Sequence, residues 1–306
     1  MLNNELLSFL KEEFKNNTLN LLPETYGGGK IFSDPLIGVA KASDSIFQKY
    51  KELLGTEHLN PLEMWLANDQ DYVSTSELSV VSIVFPFTEK IRKEGNNFIV
   101  LPKITLPAEI YTIARNYGNE FKREVVKKVI NFFEIEEYKA TSGLLSDAYS
   151  IIMKKKFYTT WSERYIAFAA GLGTLGLHEG LITDVGCNIR LASIITNAPL
   201  EVTSRKSDEP YANCLYFAKG LCKECAKKCP INAITDKGYN KIKCNKYRMK
   251  IARKAIPRYS SILKSESRRV NWKLNEDTYI VGCEQCQFGV QCTDKNPMQR
   301  EFMDYF

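Results

Sequence analysis

Between Cys214 and Cys229 the chain sets four thiols within sixteen residues, Cys214-Leu-Tyr-Phe-Ala-Lys-Gly-Leu-Cys222-Lys-Glu-Cys225-Ala-Lys-Lys-Cys229, and follows the last with Pro230. No other stretch constrains the fold as tightly, because thiols at this density must pair with one another or hold metal. Downstream, Cys244 and Cys283-x2-Cys286-x5-Cys292 bring the total to two sets of four. In the run C-x2-C-x2-C-x3-C-P, the first three cysteines hold one 4Fe-4S cluster and the cysteine before proline crosses to the other. Here Cys222-x2-Cys225-x3-Cys229-Pro230 is present, but Lys219 stands where the first ligand belongs. Giving that role to Cys214 requires the segment 216–220 to form a short loop. The expected ligands are then Cys214, Cys222, Cys225 and Cys292 for one cluster, and Cys229, Cys244, Cys283 and Cys286 for the other. Paired C-x2-C hooks also suit structural zinc, but a zinc ribbon has no use for the C-x3-C-P piece. Disulfides belong to secreted chains, and nothing at the N-terminus resembles a secretion signal, so the expected compartment is the cytoplasm.

A chain of 306 residues has material for one large domain and a small one. Its longest apolar run, around Val80 to Phe87, is too short to span a bilayer, so no membrane insertion is expected. From Lys241 to Lys273 there are twelve Lys or Arg against one acid, Glu266, a balance of +11 that leaves −5 for the rest of a chain of net charge +6. Such a segment suits RNA phosphates, an acidic electron donor, or a solvated face offsetting two negatively charged clusters, and charge alone does not choose among them.

Along the chain, Leu2 to Phe14 carries apolar residues at helical spacing. Gly27-Gly28-Gly29 is a turn lacking the Lys-Ser or Lys-Thr of a phosphate loop. Asp34 to Leu54 leads into a second helix with Ser43 or Asp44 as its cap, and Leu78 to Phe87 reads as a buried strand. A polar loop is expected over Thr88 to Phe98, and the longest helix over Pro107 to Glu134. Strands and long helices in this order suggest an α/β-layered, α+β fold. Gly171-x-Gly173-x-x-Gly176 matches the dinucleotide fingerprint by letter but not by context. A strand should precede it and an acid should follow about twenty residues on. Instead a short helix precedes it, opened by a Thr160-Trp-Ser-Glu163 capping box and closed at Gly171, and no Asp or Glu occurs from Asn188 to Leu200. The glycines are expected to bring bare backbone against some other flat or bulky cofactor. Cys187 to Thr196 reads as a strand, after which Ala198-Pro199 closes the first domain.

The chain resembles the epoxyqueuosine reductase and reductive dehalogenase superfamily. Three features carry the resemblance in order: Glu163-Arg164 to Ala170-Gly171-Leu172-Gly173, the Gly-Leu-Ile-Thr and Cys-Asn-Ile-Arg run from Gly180 to Arg190, and the eight-cysteine array with Cys283-Glu-Gln-Cys286-Gln. The resemblance implies a nitroreductase-like domain over residues 1–205 that seats a base-off cobalamin, with Gly171, Leu172, Gly173, Gly176, His178 and Arg190 as its contacts. A ferredoxin-like domain over residues 206–306 then holds the two clusters. Electrons from an acidic donor such as ferredoxin or flavodoxin pass through both clusters to the corrinoid, which supplies the chemistry for two-electron cleavage of a C–O or C–halogen bond. The substrate is a small molecule or a tRNA. A corrinoid-free electron-transfer or accessory protein is the alternative.

Epoxyqueuosine reductases carry an Asp-Thr-x-Pro segment whose Asp donates the proton. Here Phe157-Tyr158-Thr159-Thr160 stands in its place without a carboxylate. Tyr158 is therefore the candidate proton donor, against the plainer reading of a Tyr packed at a helix entrance. His178, one of two histidines, is either functional or merely hydrogen-bonded. Cys187, the ninth cysteine, is a buried structural thiol by default, with a place beside the cofactor as the sharper reading.

Overall fold

The computed structural model of the chain describes residues 2–279 and 281–302. Its helices are α1 (Leu2–Asn16), α2 (Ile46–Leu54), α3 (Pro61–Leu66), α4 (Glu89–Glu94), α5 (Glu109–Ile135), α6 (Glu163–Ala169), α7 (Leu215–Lys219), α8 (Glu224–Lys227) and α9 (Lys241–Tyr259). Its longer strands are β1 (Leu36–Lys41), β2 (Ser79–Pro86), then the short β3 (Ile99–Leu101), β4 (Ile104–Leu106), β5 (Ala140–Thr141), β6 (Ile151–Met153), β7 (Phe157–Thr159), β8 (Gly173–Leu175) and β9 (Leu181–Thr183), followed by β10 (Ile189–Thr196). The short β11 (Ile234–Thr235) and β12 (Gly238–Tyr239) and the hairpin β13 (Ser265–Val270) and β14 (Lys273–Tyr279) complete the set.

The central sheet runs β1-β2-β10-β5 with every pairing antiparallel. β2 is buried at all of its positions, as an uncharged run rich in β-branched residues should be when both faces are covered. Alternate residues serve opposite cores. Val81, Ile83 and Phe85 pack with α1, α5 and α9, whereas Val80 and Val84 pack with α2, α3 and α6. The result is an α+β fold of three layers, with an antiparallel sheet between two sets of helices. On the α5 side, Phe14, Phe32, Phe85 and Phe121 form an aromatic cluster with ring centroids 4.9–6.1 Å apart. Gly118 admits the Phe32 ring to α5, since a Cβ there would stand 2.6 Å from it. Among the described residues, no helix is long and apolar enough to cross a membrane.

Packing runs across the boundary expected after residue 205. Tyr247, Ile251, Ala255 and Tyr259 of α9 share a core with α5 and β2. Asn116 bonds both to the Lys264 carbonyl and from its N–H, each at 2.8 Å, and the Tyr247 hydroxyl accepts from the Thr105 N–H at 3.0 Å. The hairpin β13–β14 extends the β6–β7 pair through a parallel bridge between Val270 and Ile151. The basic segment 241–273 is thus partly core: α9 turns one face inward and shows Lys243, Lys246, Lys250, Arg253 and Lys254 to solvent. Two further stretches differ from expectation. β1 replaces what read as the approach to a helix, and α4 occupies part of the expected polar loop 88–98. The Asp44 carboxylate does accept from the Ile46 N–H at 3.0 Å at the start of α2.

Candidate functional site

The nine cysteines line two cavities, four on one and five on the other. Cys214, Cys222, Cys225 and Cys292 surround the smaller, of about 20 Å³. Cys229, Cys244, Cys283 and Cys286 lie on the larger, of about 400 Å³, with Cys187 beside them. Local structure explains the convergence. The loop required between Cys214 and Cys222 is a helical turn, α7, stopped by Gly220 in the left-handed region at φ +68°. α8 then carries Cys225 inward, and Cys244 sits in the first turn of α9, which Asn240 caps by accepting from the Lys243 N–H at 2.8 Å. Cys292 is drawn in by backbone pairing, the Cys187 N–H to its carbonyl at 2.8 Å and the Asn188 N–H to Thr293 at 3.1 Å. Gly186 makes that pairing possible: its φ is +83°, and a Cβ there would lie 2.5 Å from the Thr293 carbonyl oxygen.

All nine thiols are free. Burial, with the neighbouring thiols of each group adding to it, pushes Cys225 and Cys283 up to about 12. Thiolates gathered out of water in this way need a cationic partner, which is the service a bound metal performs. Backbone and side-chain donors already point at two of the sulfurs. The Ala233 N–H lies 3.2 Å from Cys229 Sγ, and Gln285 Nε2 lies 3.4 Å from Cys283 Sγ.

Between the cavities His178 is 4% exposed. Its Nδ1 accepts from the Gly180 N–H at 2.9 Å, so the proton sits on Nε2, which faces Cys292 Sγ at 3.5 Å. Cys187 Sγ is 3.7 Å from the same sulfur, and the ligand atoms of the three residues lie within 4.8 Å of one another. Cys187, outside both groups in the sequence, therefore lies against the junction of the two.

The glycine segment lies elsewhere. Of the six residues expected to contact a corrinoid, His178 and Arg190 line the large cavity. Gly171, Leu172 and Gly173 border a separate depression of about 30 Å³. The bare backbone there accommodates the protein's own chain: a Cβ on Gly173 would stand 2.3 Å from the Ile182 carbonyl oxygen, and one on Gly171 would stand 3.0 Å from that of Ser204. Gly176 faces the His178 ring. A helix precedes these glycines and a strand follows, the reverse of the dinucleotide arrangement. Tyr158 also stands apart from the large cavity, which its neighbour Phe157 lines. Its hydroxyl donates to Glu57, and burial followed by that hydrogen bond raises it to about 12.

The carboxylate that does face the large cavity is Glu163. The capping box that would have occupied it does not form. Thr160 donates instead to the Ala148 carbonyl at 2.7 Å and accepts from the Ser150 N–H at 2.8 Å, and the cap position falls to Ser162, which makes no capping bond. Both Glu163 oxygens are buried without a partner of hydrogen-bond geometry. Burial raises the carboxyl to about 6, with nearby Ser193 and Lys122 opposing. Lys122, on the same cavity, is lowered to about 8 by burial, with Glu163 opposing. An acid of this kind holds its proton up to about pH 6 and can release it to a reacting atom. One sequence signal pointed here: Glu163-Arg164 are the sole charged residues between Trp161 and His178.

A second carboxylate is spoken for. Glu284, between Cys283 and Cys286, is partly buried, yet Arg115 and Arg190 outweigh that burial and hold it down to about 2. Arg115 bonds it directly and Arg190 lies 3.8 Å away. Tyr111 bonds both arginines, so this clamp fastens the 283–286 segment to α5 and β10.

No family model and no curated protein matches the chain. Among solved structures, an epoxyqueuosine reductase from Streptococcus thermophilus aligns at 15% identity over 96% of this chain and 69% of its own, with a TM-score of 0.48. An epoxyqueuosine reductase with a tRNA-Tyr epoxyqueuosine-modified stem loop aligns at 16% over 79% of this chain and 57% of its own, with a TM-score of 0.40. A reductive dehalogenase for which B12-dependent dehalogenation is described aligns at 16% over 71% of this chain but only 27% of its own, with a TM-score of 0.43.

Proposed function

We propose that the protein is an iron-sulfur oxidoreductase of the epoxyqueuosine reductase and reductive dehalogenase type, in which two 4Fe-4S clusters carry electrons from a protein donor to a substrate in the large cavity. The observation that supports this most is the gathering of the free cysteines around two cavities, four on one and five on the other, with the C-x3-C-P spacing between them. Cys214, Cys222, Cys225 and Cys292 would hold one cluster, and Cys229, Cys244, Cys283 and Cys286 the other. Once bound, the clusters supply one-electron carriers. The thiols fit them in number, burial and chemistry. His178 lines both cavities, so the two groups of thiols lie on either side of one side chain.

Of the residues that the resemblance implies for cobalamin, His178 and Arg190 line the large cavity of about 400 Å³, which the second group of thiols also lines. A second cavity of about 600 Å³ shares Phe157, Tyr239 and Lys241 with it. The glycine segment expected to seat the ring is closed by Ile182 and Ser204. The mechanism therefore rests on the chain's own groups. Reductive cleavage of a C–O or C–halogen bond takes two electrons and one proton, converting R–X to R–H and X⁻. Glu163 is the proton source, Lys122 is the cation that keeps its conjugate base tolerable in a buried site, and the Glu284 clamp holds the 283–286 segment against α5 and β10.

Anaerobic reconstitution followed by iron and sulfide analysis and electron paramagnetic resonance tests the reading. Two clusters give about eight irons and about eight sulfides per chain. A colourless protein carrying zinc alone would overturn it. A tRNA substrate is the second reading, favoured by the solvent-facing row Lys243, Lys246 and Lys250 on α9. Phosphate contacts there would make tRNA binding fall steeply with salt.

A further inference from the structure

Resting on the two-cluster reading, we propose that the surface around α7 is the docking face for a small acidic one-electron carrier protein, which reduces the cluster held by Cys214, Cys222, Cys225 and Cys292. A compact ferredoxin run spends two residues between its first two ligands, whereas this chain spends seven. No residue of α7 is fully buried, and Tyr216 alone among the seven packs its ring against the core around Cys214 and Cys225. The segment raises two apolar side chains to the surface, Phe217 at 46% exposure and Leu221 at 58%. The Phe217 ring is held by Tyr211, with centroids 4.3 Å apart, so the patch is preformed.

The rim is basic. Residues 215–228 contain Lys219, Lys223, Lys227 and Lys228 against one acid, Glu224. That acid is turned inward, accepting from the Gln291 N–H at 2.8 Å. Lys223 and Lys228 are held in place. Lys223 pairs with Asp236 at 2.8 Å, and Lys228 donates to the Phe288 carbonyl at 2.7 Å. Lys227 is exposed on α8. An apolar centre flanked by a basic segment suits a transient acidic partner, because charge steers the encounter and apolar contact holds it briefly. Redox encounters bury less than about 1,200 Å², so a patch of this size is sufficient.

Position decides between this face and the exposed face of α9, which is the more basic. α7 is bracketed by Cys214 and Cys222, two thiols of the first group. α9 carries only Cys244, of the second group, which lines the large cavity. A carrier at α7 delivers to the cluster farther along the path from substrate, and one at α9 would bypass it. In each encounter the carrier loses one electron, the cluster gains it, and no bond forms or breaks.

The test uses the reconstituted protein with photoreduced flavodoxin as the probe and follows bleaching of cluster absorbance by stopped flow. Binding of labelled flavodoxin is measured in parallel by fluorescence anisotropy. In the double variant Leu221→Ser/Lys227→Glu, both the reduction rate and the affinity fall about tenfold or more at low ionic strength. The wild-type rate falls with added salt, and reduction by dithionite, which needs no docking, is unchanged. Lys254→Glu on α9, with the same charge change, leaves the flavodoxin rate as it was. Unchanged flavodoxin kinetics in the α7 variant, or equal slowing by Lys254→Glu, would overturn the docking face. Failure of dithionite to bleach the wild-type protein would instead refute the two-cluster reading beneath it.

Discussion

Glu163→Gln separates the cost of a buried acid from its use. The carboxyl is raised from 4.5 to about 6, burial being the largest cause, and both oxygens are out of contact with water. A carboxyl whose folded-state pKa lies above its unfolded one is harmless where both states are protonated. It destabilises the fold as pH rises through that interval and beyond. One unit is worth about 1.4 kcal/mol, so the ionised side chain costs about 2 kcal/mol above pH 7 and about 1 kcal/mol near pH 5.5. Glutamine keeps the shape of the neutral acid and removes that cost. The variant is therefore expected to be more stable than wild type in anaerobic urea titrations of the reconstituted protein, by a margin that grows from pH 5.5 to 7 and then levels. The same substitution removes the transferable proton, so turnover should fall by about 10²-fold or more, and wild-type turnover should decline above about pH 6 as Glu163 ionises. A variant that is no more stable at pH 7, or whose margin ignores pH, would refute the reading of Glu163 as an acid raised by burial.

Three further outcomes follow from the same geometry. Tyr158→Phe should retain full turnover, because that hydroxyl serves Glu57 outside the large cavity; a large loss would restore Tyr158 as the proton donor. Cys214→Ser should cost one cluster and so about half of the iron measured after reconstitution; unchanged iron would point to Cys187, 3.7 Å from Cys292, as the ligand in its place. Glu284→Gln should destabilise the protein by about 1.5–3 kcal/mol by removing the carboxylate that the partly buried Arg115 bonds and Arg190 faces. Since Glu284 is held near 2, its contribution is complete above the ordinary carboxylate pKa of 4.5 and fades only as pH falls toward 2, so wild type and variant should converge in strong acid.

How far the fold was legible depended on the range of the forces involved. α1, α5 and β2 stand within two residues of the positions read from periodicity, because each buries a continuous apolar face or run that one sequence window contains. β1 was missed because Leu-Ile-Gly-Val-Ala-Lys is too short to show a period and becomes a strand by pairing with β2. The hairpin β13–β14 lies in a highly charged stretch and gains its place from Val270 meeting Ile151. Thr160-Trp-Ser-Glu163 has the letters of a capping box, but Ala148 and Ser150 claim the threonine hydroxyl.

The sequence by itself determined the thiol inventory and the C-x2-C-x3-C-P run, because such spacing is a local property of the chain; which thiols face which cavity the fold decides. It also determined that a strand buried on both faces would sit at the centre. Only the tertiary structure decided which polar groups were left unpaired. Lys122 lies on α5 and Glu163 opens α6, forty-one residues apart in sequence, and no window contains both. The glycines were readable as bare backbone, but what filled the space over them, Ile182 and Ser204 of the same chain, was not. A carboxylate becomes an acid of use near neutrality through the partners it lacks, and partners come from across the fold.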